Sequence, residues 1–209
     1  VRVLLAHGIR CTLSGANQAA KNGYVDVVRC LRAAGIQCTP RAADLAAANG
    51  HLDVVRDLQG HDGIHATPTG ADDAASNGHV AVIQDLRAHG IHCTTIGAAM
   101  AAERGHLDVV LDLHTHGVNC TSSAVDRAAA HGHLAIVRQL RAHNHHCTSL
   151  GADMAAGNGH LDVVRDLRAH GIPCTLVGAY FAARNGHLEV VRDLQALGIA
   201  SMRSCLESG

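Results

Sequence analysis

Apolar positions along this chain alternate between two textures. Alanine-rich stretches of about ten residues, such as 40–48, end at Asn-Gly pairs: Asn49-Gly50, Asn77-Gly78 and Asn158-Gly159. After each comes a stretch spaced for one helical face, as with Leu52, Val55 and Leu58. The pattern predicts helix, tight turn, helix, the glycine ending the first helix in the left-handed conformation. Thr39-Pro40 and Thr67-Pro68 predict an N-cap hydroxyl ahead of a proline at the first helical position. Asp53 in the first turn of the second helix and Arg56 one turn on suit the helix dipole and each other.

The pair recurs. Counting from Gly8, the same 27-residue segment returns at Gly35, Gly63, Gly90, Gly117, Asn144 and Gly171, and only the copy at Gly35 has 28 residues. The expected organisation is a single array over 1–209. It begins with a partial repeat, 1–7, and has full repeats at 8–34, 35–62, 63–89, 90–116, 117–143, 144–170 and 171–197. A partial unit, 198–209, ends it. The extra residue falls within Gln59–Asp62, expected to sit between a helix and the next loop, where insertions cost least. Short helix pairs cannot bury an apolar face alone, so the repeats must stack, which gives an all-α solenoid.

Composition agrees. Apolar residues make up 47 % of the chain, yet it has no Trp, one Phe and two Tyr. Ala, Val, Leu and Ile suit thin layers of closely packed helices better than a deep core. A net charge of -1 with interspersed signs offers no basic stripe for nucleic acid, and no run is long and apolar enough to span a membrane. No phosphate loop, nucleophile motif or isolated carboxylate pair breaks the register, so no enzyme and no cofactor are expected.

The segment Asn-Gly-His-Leu-Asp-Val-Val-Arg stands at Asn49–Arg56 and Asn158–Arg165, and with Glu at Asn185–Arg192. It resembles the second-helix signature of ankyrin repeats, and the resemblance extends over essentially the whole chain. The usual ankyrin repeat has about 33 residues; here the loop is too short for the projecting β-hairpin fingers. The chain looks like the shortened ankyrin-type repeats of protist and giant-virus proteins. The resemblance implies a protein-binding scaffold whose first helices line a concave face. Without fingers, binding falls to the helices themselves.

Comparing the repeats separates positions that serve the stack from positions free of it. The most variable pair lies in the middle of the first helix: Asn17-Gln18, Asp44-Leu45, Asp72-Asp73, Ala99-Met100, Asp126-Arg127, Asp153-Met154 and Tyr180-Phe181. One turn on, Lys21, Ala48, Ser76, Glu103, Ala130, Gly157 and Arg184 vary too. The partner-binding residues expected from this are Gln18, Leu45, Asp73, Met100, Arg127, Met154, Tyr180 and Phe181. Met and aromatics are residues that interfaces favour. Neutral variation at exposed positions is the alternative.

Cys11, Cys38, Cys93, Cys120, Cys147 and Cys174 share one repeat position, which Ala66 and Ser201 also occupy. Adjacent helical layers lie about 8–10 Å apart, beyond disulfide reach. Small free thiols packed between layers are expected, and with them a reducing intracellular compartment, cytoplasmic or other. Cys30 and Cys205 lie off the row, and Cys30 is the candidate for exposure.

The eighteen histidines are ordered too. His51, His79, His106, His133, His160 and His187 follow the inter-helix glycine, with Tyr24 in the first repeat, and the resemblance implies a stacking role for them. His7, His89, His116, His143 and His170 end second helices, and His65, His92 and His146 lie in loops. His89 with His92, or His143 with His145 and His146, are conceivable metal ligands, though no recognised zinc spacing supports them. A loss of stability or assembly below about pH 6 is expected from so many imidazoles.

The alternative to a scaffold is self-assembly. Val1 aligns with Val28, and Met202, Cys205 and Leu206 are poor material for a polar cap, so uncapped ends would pair head to tail into filaments. Truncation of a longer protein accounts for the ends equally well.

Overall fold

A computed structural model of the chain describes residues 12–198. Among them are fourteen α-helices and no strand. The first helices of the seven repeats are α1 (Leu13–Lys21), α3 (Pro40–Ala48), α5 (Pro68–Ser76), α7 (Thr95–Glu103), α9 (Ser122–Ala130), α11 (Ser149–Gly157) and α13 (Leu176–Arg184). The second helices are α2 (Val25–Ala33), α4 (Leu52–Asp57), α6 (Val80–Ala88), α8 (Leu107–Thr115), α10 (Leu134–Ala142), α12 (Leu161–Ala169) and α14 (Leu188–Ala196). The fold is the expected all-α helical solenoid, neighbouring helices packing in series.

Two compact units are distinguishable. One takes in the chain up to Ala98 together with Leu111–Val118; the other takes Ala99–Val110 and the chain from Asn119 onward. In the first, α1, α3 and α5 pack in order, with α2, α4 and α6 behind them. In the second, α9, α11 and α13 pack in order, with α10, α12 and α14 behind. Both cores are built alike. First helices bury alanines, such as Ala42, Ala43, Ala46 and Ala47 in α3 and Ala152, Ala155 and Ala156 in α11. Such small side chains let helices approach closely. Second helices bury Val, Ile and Leu, such as Val54 and Val55 with Leu58 just beyond α4, or Val163, Val164 and Leu167 in α12. Leu52, expected on the buried face, is only partly covered; Val54 takes its place.

Repeat ends close in one way. The amide three residues past the helix reaches back to a leucine carbonyl: Ile36 to Leu31, Ile91 to Leu86, Ile172 to Leu167. The intervening glycine has positive φ, as at Gly35 (79°), and in the sixth repeat Asn144 holds it at 63°. In the 28-residue repeat the same closure joins Ile64 to Leu58 at 3.1 Å with one more residue between. The extra residue therefore does not enter the loop. Both ends of the closure are held, so the last turn widens into a π-helix, Leu58–Asp62.

Candidate partner-binding face

Which first-helix side chains are free depends on what holds the stack, and three ladders hold it. The first runs through the Asp at the tenth repeat position. Thr67 donates its backbone N–H to Asp44 Oδ1 (2.6 Å), and its hydroxyl also bonds that carboxylate. Thr94 does the same on Asp72, Thr148 on Asp126 and Thr175 on Asp153, at 2.6–2.7 Å. Each Asp thus caps the next repeat's first helix from outside. Thr67 also caps its own helix, accepting from the Gly70 amide, but Thr39 does not; its hydroxyl accepts from Asn17 Nδ2 instead.

The second ladder joins second helices. Arg138 Nε and Arg141 Nη1 grip Asp166 at 2.7 and 2.5 Å, and Arg165 and Arg168 grip Asp193 identically. Arg29 and Arg32 hold Asp57 in the same way, and Arg32 also forms an ion pair with Asp62 at the end of the widened turn. Arg56 pairs with Asp85 of the next repeat (2.6 Å) rather than with Asp53, whose carboxylate accepts from the Val54 amide. Burial works to raise the carboxyls of Asp57, Asp112, Asp166 and Asp193, but the basic side chains outweigh it and hold all four below the usual carboxylate range.

The third ladder explains the Asn-Gly-His motif. Asn158 Nδ2 donates to the Ala130 carbonyl and Asn185 Nδ2 to the Gly157 carbonyl, both at 2.7 Å. His133 Nε2 bonds the Glu103 carbonyl at 2.9 Å. Each capped carbonyl ends the preceding repeat's first helix, where acceptors lack intrahelical partners. The imidazole lies so close to the preceding glycine that a Cβ on Gly50 would stand 2.6 Å from His79 Nδ1.

The cysteine row is as expected. Cys38, Cys93, Cys120, Cys147 and Cys174 are buried free thiols, and Cys30 is half-buried. Burial pushes the Cys93 and Cys174 thiols up to about 12, and Cys174 Sγ donates to Asp153 Oδ1. Cys11, Cys205, His7, Ser201 and the residues at both ends that motivated filament assembly lie outside the described residues. Histidines ending second helices bond back onto their own helix while staying exposed: Nδ1 of His89 and His170 meets the carbonyl four residues back, at 2.8 and 2.7 Å. Among the described residues, no three His, Cys, Asp or Glu side chains converge to hold a metal ion.

The ladders divide the variable pair. Asn17, Asp44, Asp72, Asp126 and Asp153 belong to the stack, and Asp72 and Asp153 are buried. The eleventh position faces outward. Gln18 and Arg127 are exposed, Leu45, Asp73 and Met100 half-buried, and Met154 and Phe181 each 42 % exposed. Tyr180 is half-buried, edge-on to Phe181. Arg127 is paired with Glu103. One turn on, Lys21 and Arg184 are exposed, whereas Ser76, Ala130 and Gly157 are buried and contribute no outward side chain.

Exposed apolar side chains also stand at the seventh position of three repeats. Ile96, Leu150 and Val177 are exposed by 64, 62 and 55 %, each four residues before Met100, Met154 or Phe181. That spacing puts each pair on one helix face, and it was readable in the sequence. In the second unit, Leu150 and Met154 of α11 and Val177 and Phe181 of α13 line a depression of about 190 Å³ together with Asp153, Gly157, Asn158 and Asn185. Gly157 makes room for it: a Cβ there would lie 3.0 Å from Phe181 Cβ.

Serial helix pairs held by repeating polar ladders, with a variable outer face, define a helical repeat scaffold. The family model for ankyrin repeats (many copies) matches residues 152–195, within the second unit, and supports an ankyrin-like reading of the helical solenoid. Ankyrin repeats are protein–protein interaction modules. No curated protein matches the chain. Among the described residues no helix is long and apolar enough to cross a membrane.

Proposed function

We propose that the chain is a non-enzymatic scaffold that binds a protein partner through the outward first-helix positions, with Met154, Tyr180 and Phe181 at the centre of the contact. One observation carries this reading: Leu150, Met154, Val177 and Phe181 expose apolar side chains together around one depression. Grouped exposed apolar residues mark interaction surfaces, whereas scattered ones do not. Gln18, Leu45, Asp73, Met100 and Arg127 occupy the equivalent position on other first helices and are proposed as further partner contacts. By resemblance to ankyrin proteins this is the concave face. The row of buried free thiols favours a reducing intracellular compartment.

The test is affinity capture from the source cell with the native chain and with a variant carrying Met154→Ala, Tyr180→Ala and Phe181→Ala. The variant is expected to keep its helical circular dichroism and melting temperature while losing a specific partner. Unchanged capture sinks the reading.

A further inference from the structure

The groove between α11 and α13 has a size and a charge that restrict what fits it. At about 190 Å³ it is smaller than the roughly 300–1,000 Å³ of small-molecule sites. Its scale is that of one large side chain. Both helices contribute apolar lining, Leu150 and Met154 from one and Val177 and Phe181 from the next.

The groove's polar groups are largely engaged. Asp153 is buried and accepts from the Thr175 amide, the Thr175 hydroxyl and the Cys174 thiol, so it offers nothing to an incoming cation. Asn158 and Asn185 each spend an amide N–H on a helix-terminal carbonyl. Along the same face, Arg127 is neutralised by Glu103. Helix α11 carries no charge other than Asp153, and α13 carries only Arg184. Arg184 is exposed and stands three residues after Phe181, one turn along the same helix face. The groove is therefore an apolar slot, and the one charge on α13, Arg184, is exposed one turn beyond the lining residue Phe181.

We propose that its occupant is an acidic amphipathic segment of a protein, one large apolar side chain seated between Met154 and Phe181 and a carboxylate about one turn away paired with Arg184. This rests on the reading above and adds the partner's chemistry. The planar guanidinium suits a carboxylate bidentately. An aromatic or leucine anchor in a central pocket carries the affinity, while the peripheral ion pair carries selectivity.

The test selects from a random displayed peptide library on the immobilised full chain, then measures winners by fluorescence anisotropy. Peptides pairing a large apolar residue with Asp or Glu three or four residues away are expected to be enriched. Replacing that acid by Lys should weaken binding about two- to fivefold at low salt, the range of an exposed ion pair, and the gap should narrow as salt rises. Arg184→Glu should reverse the acid-over-Lys ranking, and Phe181→Ala should weaken all winners by about 30-fold or more. Anchor-dependent peptides with no acidic preference, or a ranking that Arg184→Glu leaves unchanged, overturn the proposal while leaving the scaffold reading standing. Loss of anchor dependence, together with unchanged capture by the triple variant, sinks both. A dimer in light scattering that Phe181→Ala dissolves means a second copy fills the groove, and also overturns it.

Discussion

Arg56 Nε bonds Asp85 Oδ1 at 2.6 Å, and Asp85 Oδ2, though buried, receives no hydrogen bond. At the corresponding carboxylates a second basic side chain fills that place: Arg32 on Asp57, Arg141 on Asp166, Arg168 on Asp193. The second repeat has Gln59 where the first, third, fifth and sixth have Arg32, Arg87, Arg141 and Arg168, and Gln59 is buried with neither amide atom bonded. Its widened π turn carries Gln59 into the stack, so substitution and insertion weaken one junction together.

The first prediction compares carboxylates. Asp166→Asn should cost about 2 kcal/mol, because two charge-assisted bonds weaken at a buried site. Asp85→Asn should cost less than about 1 kcal/mol, since one bond, to the exposed Arg56, is affected and the oxygen that loses its charge accepts no hydrogen bond, His89 Nδ1 standing 3.7 Å away. Urea unfolding of both variants checks the order. Equal losses would mean that the second arginine contributes nothing.

Two glycines of nearly equal φ give the second prediction. Gly35 (79°) and Gly50 (77°) both sit where an L-residue is strained. A Cβ on Gly35 meets nothing within 4 Å, whereas one on Gly50 runs into the His79 ring. Gly35→Ala should cost about 1 kcal/mol from backbone strain alone. Gly50→Ala should cost at least about 2–3 kcal/mol, because strain is joined by displacement of an imidazole that belongs to the repeat junction. A second substitution, His79→Ala, should recover part of the excess in Gly50→Ala. Thermal melts of the three variants provide the comparison.

Much of this was legible in the sequence, and its limits are physical. The 27-residue register sets seven helix pairs, and the small residues at the cysteine position announce burial. The tenth position misled because variation has two sources. Asp44, Asp72, Asp126 and Asp153 bind the following Thr, yet Ala99, whose side chain can make no such bond, stands at the same place. A stack of many junctions tolerates losing one bond, so a variable position need not be a free one. The extra residue is expected between the helix and the next loop, where length is cheap, but it widens the last helical turn instead. Only the amide bond from Ile64 to Leu58 reveals that both ends of that loop are held.

The last prediction concerns acid, and only groups with a definite shift enter it. Burial pulls the His160 imidazole below its ordinary value, aided by His131 and His133 and opposed by Asp162 and the Ala130 carbonyl. The unfolded chain takes up that proton near pH 6.5, before the folded chain does. The contribution of neutral His160 is therefore complete above about pH 6.5 and declines as pH falls through its lower folded value. The ladder carboxyls behave as a second step. Asp57, Asp112, Asp166 and Asp193 are held below the usual range, so their contribution is intact above the unfolded carboxyl value of about 3.9 and is lost below it. Urea midpoints between pH 7.5 and 3 should fall in two stages, and His160→Gln should flatten the upper one without moving the lower. A profile flat from pH 7.5 to 5 would contradict the histidine step, and a lower stage unaffected by Asp166→Asn would remove the ladder from the second.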